Sequence, residues 1–192
     1  TFSSTLTIAA STLTLGGTIV VEGNFSQTGG TVLGTSGGTL SVGGNITLNS
    51  GATFTAGTST VAMTGANKTI DSAGKTLYGF TVSGSNSPTA NDLTITGPVN
   101  ISDSGTLTIG SGRTLTHSGS SFTLNSTGTI TGAGTLTFIP GSSGPGTGGT
   151  ISVITRFDAS SADITAATVD ARTYSAKVEL YANSASDRTI TL

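Results

Sequence analysis

Apolar and polar residues alternate with period two along nearly the whole chain. The pattern opens at Leu6 and Ile8 and resumes at Leu13 and Leu15. It returns at Leu40 and Val42, Leu93 and Ile95, Leu107 and Ile109, Leu136 and Phe138, and Ile190 and Leu192. Strict alternation over a few residues marks a strand with one buried face. Glycine-containing breaks separate the runs, at Gly16-Gly17, Gly29-Gly30, Gly37-Gly38, Gly43-Gly44, Gly110-Ser-Gly112 and Gly132-Ala-Gly134. Glycine tolerates the positive φ of tight corners. More than a dozen short strand candidates precede residue 140.

A strand–turn–strand unit repeats. Asn45-Ile-Thr-Leu-Asn-Ser-Gly-Ala-Thr-Phe-Thr-Ala-Gly57 returns as Asn100-Ile-Ser-Asp-Ser-Gly-Thr-Leu-Thr-Ile-Gly110, with Ser50-Gly51 aligned on Ser104-Gly105. A weaker copy is Phe122-Thr-Leu-Asn-Ser-Thr-Gly-Thr-Ile-Thr-Gly132, so Phe54, Leu107 and Ile130 fall at or beside equivalent positions. Repeats of this kind point to stacked architectures. A sandwich of about seven to nine strands has too few strands for this chain. A solenoid of many short strands, with Thr, Ser and Asn stacked in ladders, accommodates them. The fold expected is therefore all-β, a parallel β-solenoid (β-helix). The alternative is a β-sandwich fibre subunit with strand exchange. In the solenoid, Leu6, Ile8, Leu13, Leu40, Val42, Leu93, Ile95, Leu107, Ile109, Ile130 and Leu136 point inward.

The pattern changes at Pro140-Gly-Ser-Ser-Gly-Pro-Gly-Thr-Gly-Gly149. Seven charged residues lie before it and nine in the much shorter stretch after it. The chain thus divides into a repetitive region, 1–140, a Gly-rich corner or linker, 141–149, and a variant coil or additional β module, 150–192. Strand candidates in the last part are Ile151–Ile154, Lys177–Tyr181 and Thr189–Leu192. The Ala-rich stretch Asp158–Arg172 has helical character opposed by its Thr and Val content.

Composition narrows the setting. Thr (40) and Ser (27) make up about a third of the chain, with 29 Gly and only 8% charged residues. The strong helix formers Glu, Lys, Arg and Gln are scarce. So sparse a charge suits a crowded cytosol poorly, and a hydroxyl coat fits an outside-facing polymer. Seven scattered Lys and Arg residues cannot form the basic stripe that nucleic acid requires. No apolar run approaches the roughly 18 residues of a membrane span. The start at Thr1-Phe2-Ser3, without a signal peptide, reads as processed or truncated. Without Cys, no disulfide staples the fold.

The segments Phe54-Thr-Ala-Gly-Thr-Ser-Thr-Val-Ala-Met-Thr-Gly65, Lys68-Thr-Ile, Lys75-Thr-Leu-Tyr-Gly-Phe-Thr-Val-Ser-Gly84, and Asp92-Leu-Thr-Ile-Thr-Gly97 through Gly112 recur in kind along the chain. At the level of these repeats the chain resembles large prokaryotic surface proteins. The resemblance covers roughly residues 20–138. Gly79-Phe80 stands where those repeats carry Asn-Leu, and the tail after residue 150 matches less well. The resemblance implies a right-handed parallel β-helix of an adhesin, an autotransporter-like passenger or a fibre. It brings no catalytic residues with it.

Candidate chemistry is sparse. His117 is the single histidine. Flanked by Thr116 and Ser118, it reads as a surface histidine rather than the base of a Ser-His-Asp triad, and one His without Cys suits zinc poorly. Gly144-Pro-Gly-Thr-Gly-Gly149 fits a dinucleotide fingerprint formally, but a strand rather than a helix follows it. Many β-helix proteins cleave polysaccharides, which requires acids converging on one groove. Asp158, Asp163 and Asp170, at spacings of five and seven, need not converge; with backbone carbonyls they are also a candidate calcium set. Tyr174 and Tyr181 are candidate contact residues. No catalytic residue, resident metal or cofactor is assigned. Candidate glycosylation acceptors are Asn24, Asn45, Asn67, Asn100 and Asn125, each in an Asn-x-Ser/Thr sequon.

The expected function is structural: a subunit of an extracellular surface filament that pairs with itself head to tail. Its edge strands are Phe2-Ser-Ser-Thr-Leu-Thr-Ile8 and Arg188-Thr-Ile-Thr-Leu192, with Phe2, Leu6, Ile8, Ile190 and Leu192 as the assembly residues. No nucleic acid and no membrane span are expected. The alternatives are an adhesin passenger that binds glycans or a cell surface, and a polysaccharide-cleaving β-helix enzyme.

Overall fold

The computed structural model describes residues 1–35, 37–88, 91–163 and 174–182. They form a parallel β-solenoid in which each turn supplies short strands to separate sheets. Strands are numbered along the chain. The first strand of each turn builds an eight-stranded sheet of β1 (Leu6–Ile8), β4 (Phe25–Gln27), β7 (Ile46–Leu48), β10 (Lys68–Asp71), β13 (Ser85–Pro88), β16 (Thr106–Ile109), β19 (Thr129–Gly132) and β21 (Thr150–Ile151). The third strands build a six-stranded sheet of β3 (Thr18–Val21), β6 (Thr39–Val42), β9 (Thr60–Met63), β12 (Gly79–Val82), β15 (Val99–Ile101) and β18 (Phe122–Leu124). The second strands fall into two groups. β2 (Thr12–Thr14), β5 (Thr31–Leu33) and β8 (Thr53–Thr55) form one sheet. β11 (Thr76–Leu77), β14 (Leu93–Ile95), β17 (Thr114–His117), β20 (Thr135–Phe138), β22 (Ile154–Asp158) and β23 (Val178–Tyr181) form the other.

All strand pairings among the described residues are parallel, which excludes the hairpin-built sandwich. Turns differ in length: Ile46 pairs with Ile70, whereas Lys68 pairs with the much nearer Asn86. The sequence repeat is not a whole number of turns. Its first copy rounds the corner from β7 to β8, whereas the second rounds a different corner, from β15 to β16. The repeated unit is a corner device that the fold uses at more than one corner.

Alternation turns one face of each strand into the bore, where like residues stack. One column runs Val21, Val42, Met63, Val82, Ile101, Leu124, and its neighbour runs Ile19, Leu40, Val61, Phe80, Val99, Phe122. All but Ile19 are buried. The predicted inward residues lie in this core, with Leu6 and Leu13 only half-buried in the first turn. Outward positions carry hydroxyls, as in Thr106–Thr129–Thr150 and Thr18–Thr39–Thr60. Threonine suits such a surface because its branched Cβ favours the extended backbone.

Corners stack as closely as strands, and this accounts for much of the glycine. A Cβ on Gly65 would lie 1.8 Å from the Gly43 carbonyl oxygen, and one on Gly84 would lie 2.1 Å from that of Gly65. Backbone thus rests on backbone where any side chain would intervene.

The stack continues through the Gly-rich segment: β21 pairs with β19, β22 with β20, and β23 with β22. Residues 139–149 take the place of a third strand and pass over the end of β18. Ser143 N–H donates to the Gly119 carbonyl at 3.0 Å, and Gly148 lies against the Leu124 carbonyl. No helix among the described residues is long and apolar enough to cross a membrane. Part of the Ala-rich stretch, residues 164–172, lies outside the described residues.

Candidate functional site

The open ends of the sheets come first, since assembly is expected there. Phe2 forms a parallel bridge to Val21: its N–H donates to the Val20 carbonyl at 2.7 Å and its carbonyl accepts from Glu22 N–H at 2.8 Å. Its ring is 45% exposed. Leu6 and Ile8 sit on β1, which has a strand partner on one side only, β4. At the other described end, β23 pairs only with β22. Val178 and Leu180 stack in register on Thr155 and Phe157, yet they are 40% and 51% exposed. They are core-column residues with no further layer over them among the described residues. Ile190 and Leu192 lie outside the described residues.

The outer face of this rung carries a dense charge cluster among the described residues. Arg156 donates to Glu179 Oε2 through Nε (2.9 Å) and Nη2 (2.7 Å), and Lys177 Nζ reaches Oε1 at 3.0 Å. Hydrogen bonds from Lys177 and then Arg156 hold the Glu179 carboxyl below the usual carboxylate range. The Arg156 guanidinium lies 5.2 Å over the Tyr181 ring. Tyr181 is therefore exposed but already has a cation on its ring. Tyr174 is packed instead, edge-on to Phe157 at 6.1 Å.

Ladders of amides and acids tie successive corners together. Asn24 Oδ1 accepts from Asn45 N–H at 2.8 Å, and Asn45 Oδ1 accepts from Thr69 N–H at 3.0 Å. Asn125 Nδ2 donates to Asn100 Oδ1 at 3.1 Å, beside one another on the outer face. Asn67 is exposed and takes a left-handed φ of 55°. Four of the five sequon asparagines are thus used in ladders between turns. Asp103 Oδ1 accepts from Thr127 N–H (3.1 Å), Ser126 Oγ (3.0 Å) and Thr127 Oγ1 (3.3 Å), while Ser104 N–H donates back to Thr127 Oγ1 (3.1 Å). The Thr127 amide, then the Ser126 hydroxyl, lower the Asp103 carboxyl from its ordinary value.

The candidate calcium set is not assembled among the described residues. The Asp158 carboxylate accepts from Ser160 N–H at 2.9 Å and from the Ser160 hydroxyl, capping its own turn. Asp163 is exposed, and Asp170 lies outside the described residues. Among the described residues no three acidic or histidine side chains gather at one point.

His117 corrects the reading of a surface histidine: it is fully buried. It occupies the inward column Leu77–Ile95–His117–Phe138–Phe157–Leu180. Nε2 lies 3.1 Å from the Gly97 carbonyl oxygen, and Nδ1 is buried without a hydrogen-bond partner. The ring stands edge-on to Phe122 (5.1 Å) and Phe138 (5.8 Å). Among the described residues it faces backbone and phenyl rings, not a Ser hydroxyl or a carboxylate. The signal was in the alternation, because His117 follows the inward Leu115 by two positions.

No family model matches the chain, and no curated protein or solved structure is detectably similar to it.

Proposed function

We propose that this chain is a structural segment of an extracellular surface filament, a β-solenoid shaft that extends along its own axis by parallel strand pairing. The observation that carries this reading is the stack of parallel turns, in which each described turn offers the next the same strand edges. Among the described residues β1 and β23 each have a strand on one side only, and Phe2, Val178 and Leu180 leave apolar surface uncovered beside them. An added rung would contribute about 0.5–1.5 kcal/mol per new backbone hydrogen bond, together with burial of these side chains. Further chain and a second copy would use the same edges. Repetition of a head-to-tail contact generates a filament unless rotation closes it.

The sides of the shaft support the same reading. They carry Thr and Ser ladders and asparagine stacks, with 8% charged residues in the whole sequence. Such a surface is hydrated without presenting a strong field for steering charged ligands.

The test is sedimentation velocity of the purified chain over a concentration series. Concentration-dependent growth into elongated species is expected, and it should be suppressed by Leu180→Lys and by Phe2→Lys. A chain that stays monomeric throughout the micromolar range contradicts end-to-end self-assembly.

A further inference from the structure

We propose that His117 makes its corner of the solenoid an acid-triggered opening point: protonation of the ring drives it from the bore and frees residues 139–149 from the end of β18. The inference is independent of filament assembly. It begins with a local imbalance of polar groups. The ring is fully buried, with one nitrogen at the Gly97 carbonyl and the other unpartnered. Around it stand the edges of Phe122 and Phe138, with the backbone of Ser121 and Ser143 close by. A neutral imidazole behaves here as a flat, nearly apolar ring. An imidazolium would place a full charge in the same space, with a second N–H to satisfy.

Among the described residues no counter-ion stands by. β18, β20 and the 139–149 segment contain no charged residue, and His117 is the only titratable side chain between Arg113 and Arg156. On β14 the packed residues are Leu93 and Ile95. The adjacent Asp92 is directed to the other end of the strand, where its carboxylate accepts from Thr114 N–H at 2.9 Å. Next to Gly97 the nearest titratable group is the phenol ring of Tyr78. On β22, stacked beyond Phe138, Arg156 faces outward to Glu179, and Asp158 caps Ser160. Burial accordingly pushes the His117 ring below its ordinary pKa, against smaller opposing effects from the backbone of Gly97, Ser143 and Ser121.

The element best placed to yield is the segment laid over this corner. Residues 139–149 are not in a sheet. Ile139 N–H donates to the His117 carbonyl itself at 3.3 Å, and the Ser143 amide and hydroxyl bond to Gly119 and Ser120. A ring that moves outward passes through these contacts, whereas β17 is held by strands on both sides.

The sign follows from linkage. A histidine whose folded pKa is depressed leaves stability intact above about 6.5, and the open form, which binds the proton, gains as pH falls below that value. The opening equilibrium should rise between about pH 7.5 and about pH 5.5, by at most about tenfold. Because this is the single histidine, its ring resonance is unambiguous, and proton NMR titration can be read beside hydrogen exchange by mass spectrometry. After correction for the chemical exchange rate, the peptide covering 139–149 should open more at the lower pH, by at most about tenfold. A peptide covering Leu40–Met63 should stay protected, and His117→Leu should abolish the response. Opening in the wild-type chain should also track titration of the ring, a comparison that stands if the variant fails to fold. The proposal is overturned if the ring titrates at its ordinary value, if 139–149 shows no acid response, if His117→Leu responds equally, or if the whole solenoid loses protection together.

Discussion

A β-solenoid corner leaves no room for a Cβ where backbone lies on backbone, and this makes individual glycines unequal. Gly65 sits directly over the Gly43 carbonyl, while a Cβ on Gly16 would meet nothing within 4 Å. Gly65→Ala should destabilise the fold by about 1–3 kcal/mol, as overpacking does. Gly16→Ala should be neutral or stabilise by up to about 1 kcal/mol, because it restricts the unfolded chain. Denaturant midpoints of the two variants against the wild-type chain check the contrast, and equal effects would contradict it. At this scale much is legible in the sequence alone. Leu40, Val42, Leu107, Ile109, Ile130 and Leu136 alternate strictly with Thr, Ser or Gly and are buried as expected. The polarity of His117 points to the surface, but its place in the alternation puts it in the bore. Leu6 and Leu13 are less covered than Leu40 or Leu107 since no described turn lies beyond theirs.

Corners are the elements that set register, and side chains there bind one turn to the next. Asp103 is the clearest case, with three donors from Ser126 and Thr127 on the following turn. Its folded carboxyl is held below the ordinary value. The contribution is therefore present above the ordinary aspartate pKa of about 3.9 and is lost as pH falls through and below it. Asp103→Asn should flatten this acid limb by lowering stability near neutrality, while in acid the variant approaches the wild-type chain. Thermal melts between about pH 2.5 and about pH 7 test it; an acid limb of unchanged depth would contradict the assignment. Corner chemistry was only partly legible. The Ser-Gly turns were visible as repeats, but turns that pair Ile46 with Ile70 and Lys68 with Asn86 share no fixed period. Successive copies of the unit fall on different corners, so sequence spacing alone did not give the register. Burial of the Gly-rich segment against β18 was hidden as well, because its contacts are made by backbone.

On the scale of the whole molecule, the stack has parallel strands across its axis, side walls of hydroxyls and amides, and apolar side chains uncovered at the described ends. The absence of cysteine leaves hydrogen-bonded rungs and packed columns to hold it. In such quasi-one-dimensional folds each turn is stabilised chiefly by its neighbours, so adding a turn and adding a molecule are physically the same event. The proposed filament is this event repeated. The most direct measurement is X-ray fibre diffraction from oriented assemblies of the purified chain. Coils stacked along the filament should place the inter-strand reflection, at about 4.8 Å, on the meridian. An equatorial reflection at that spacing, with strands running along the fibre, would contradict axial stacking of the solenoid.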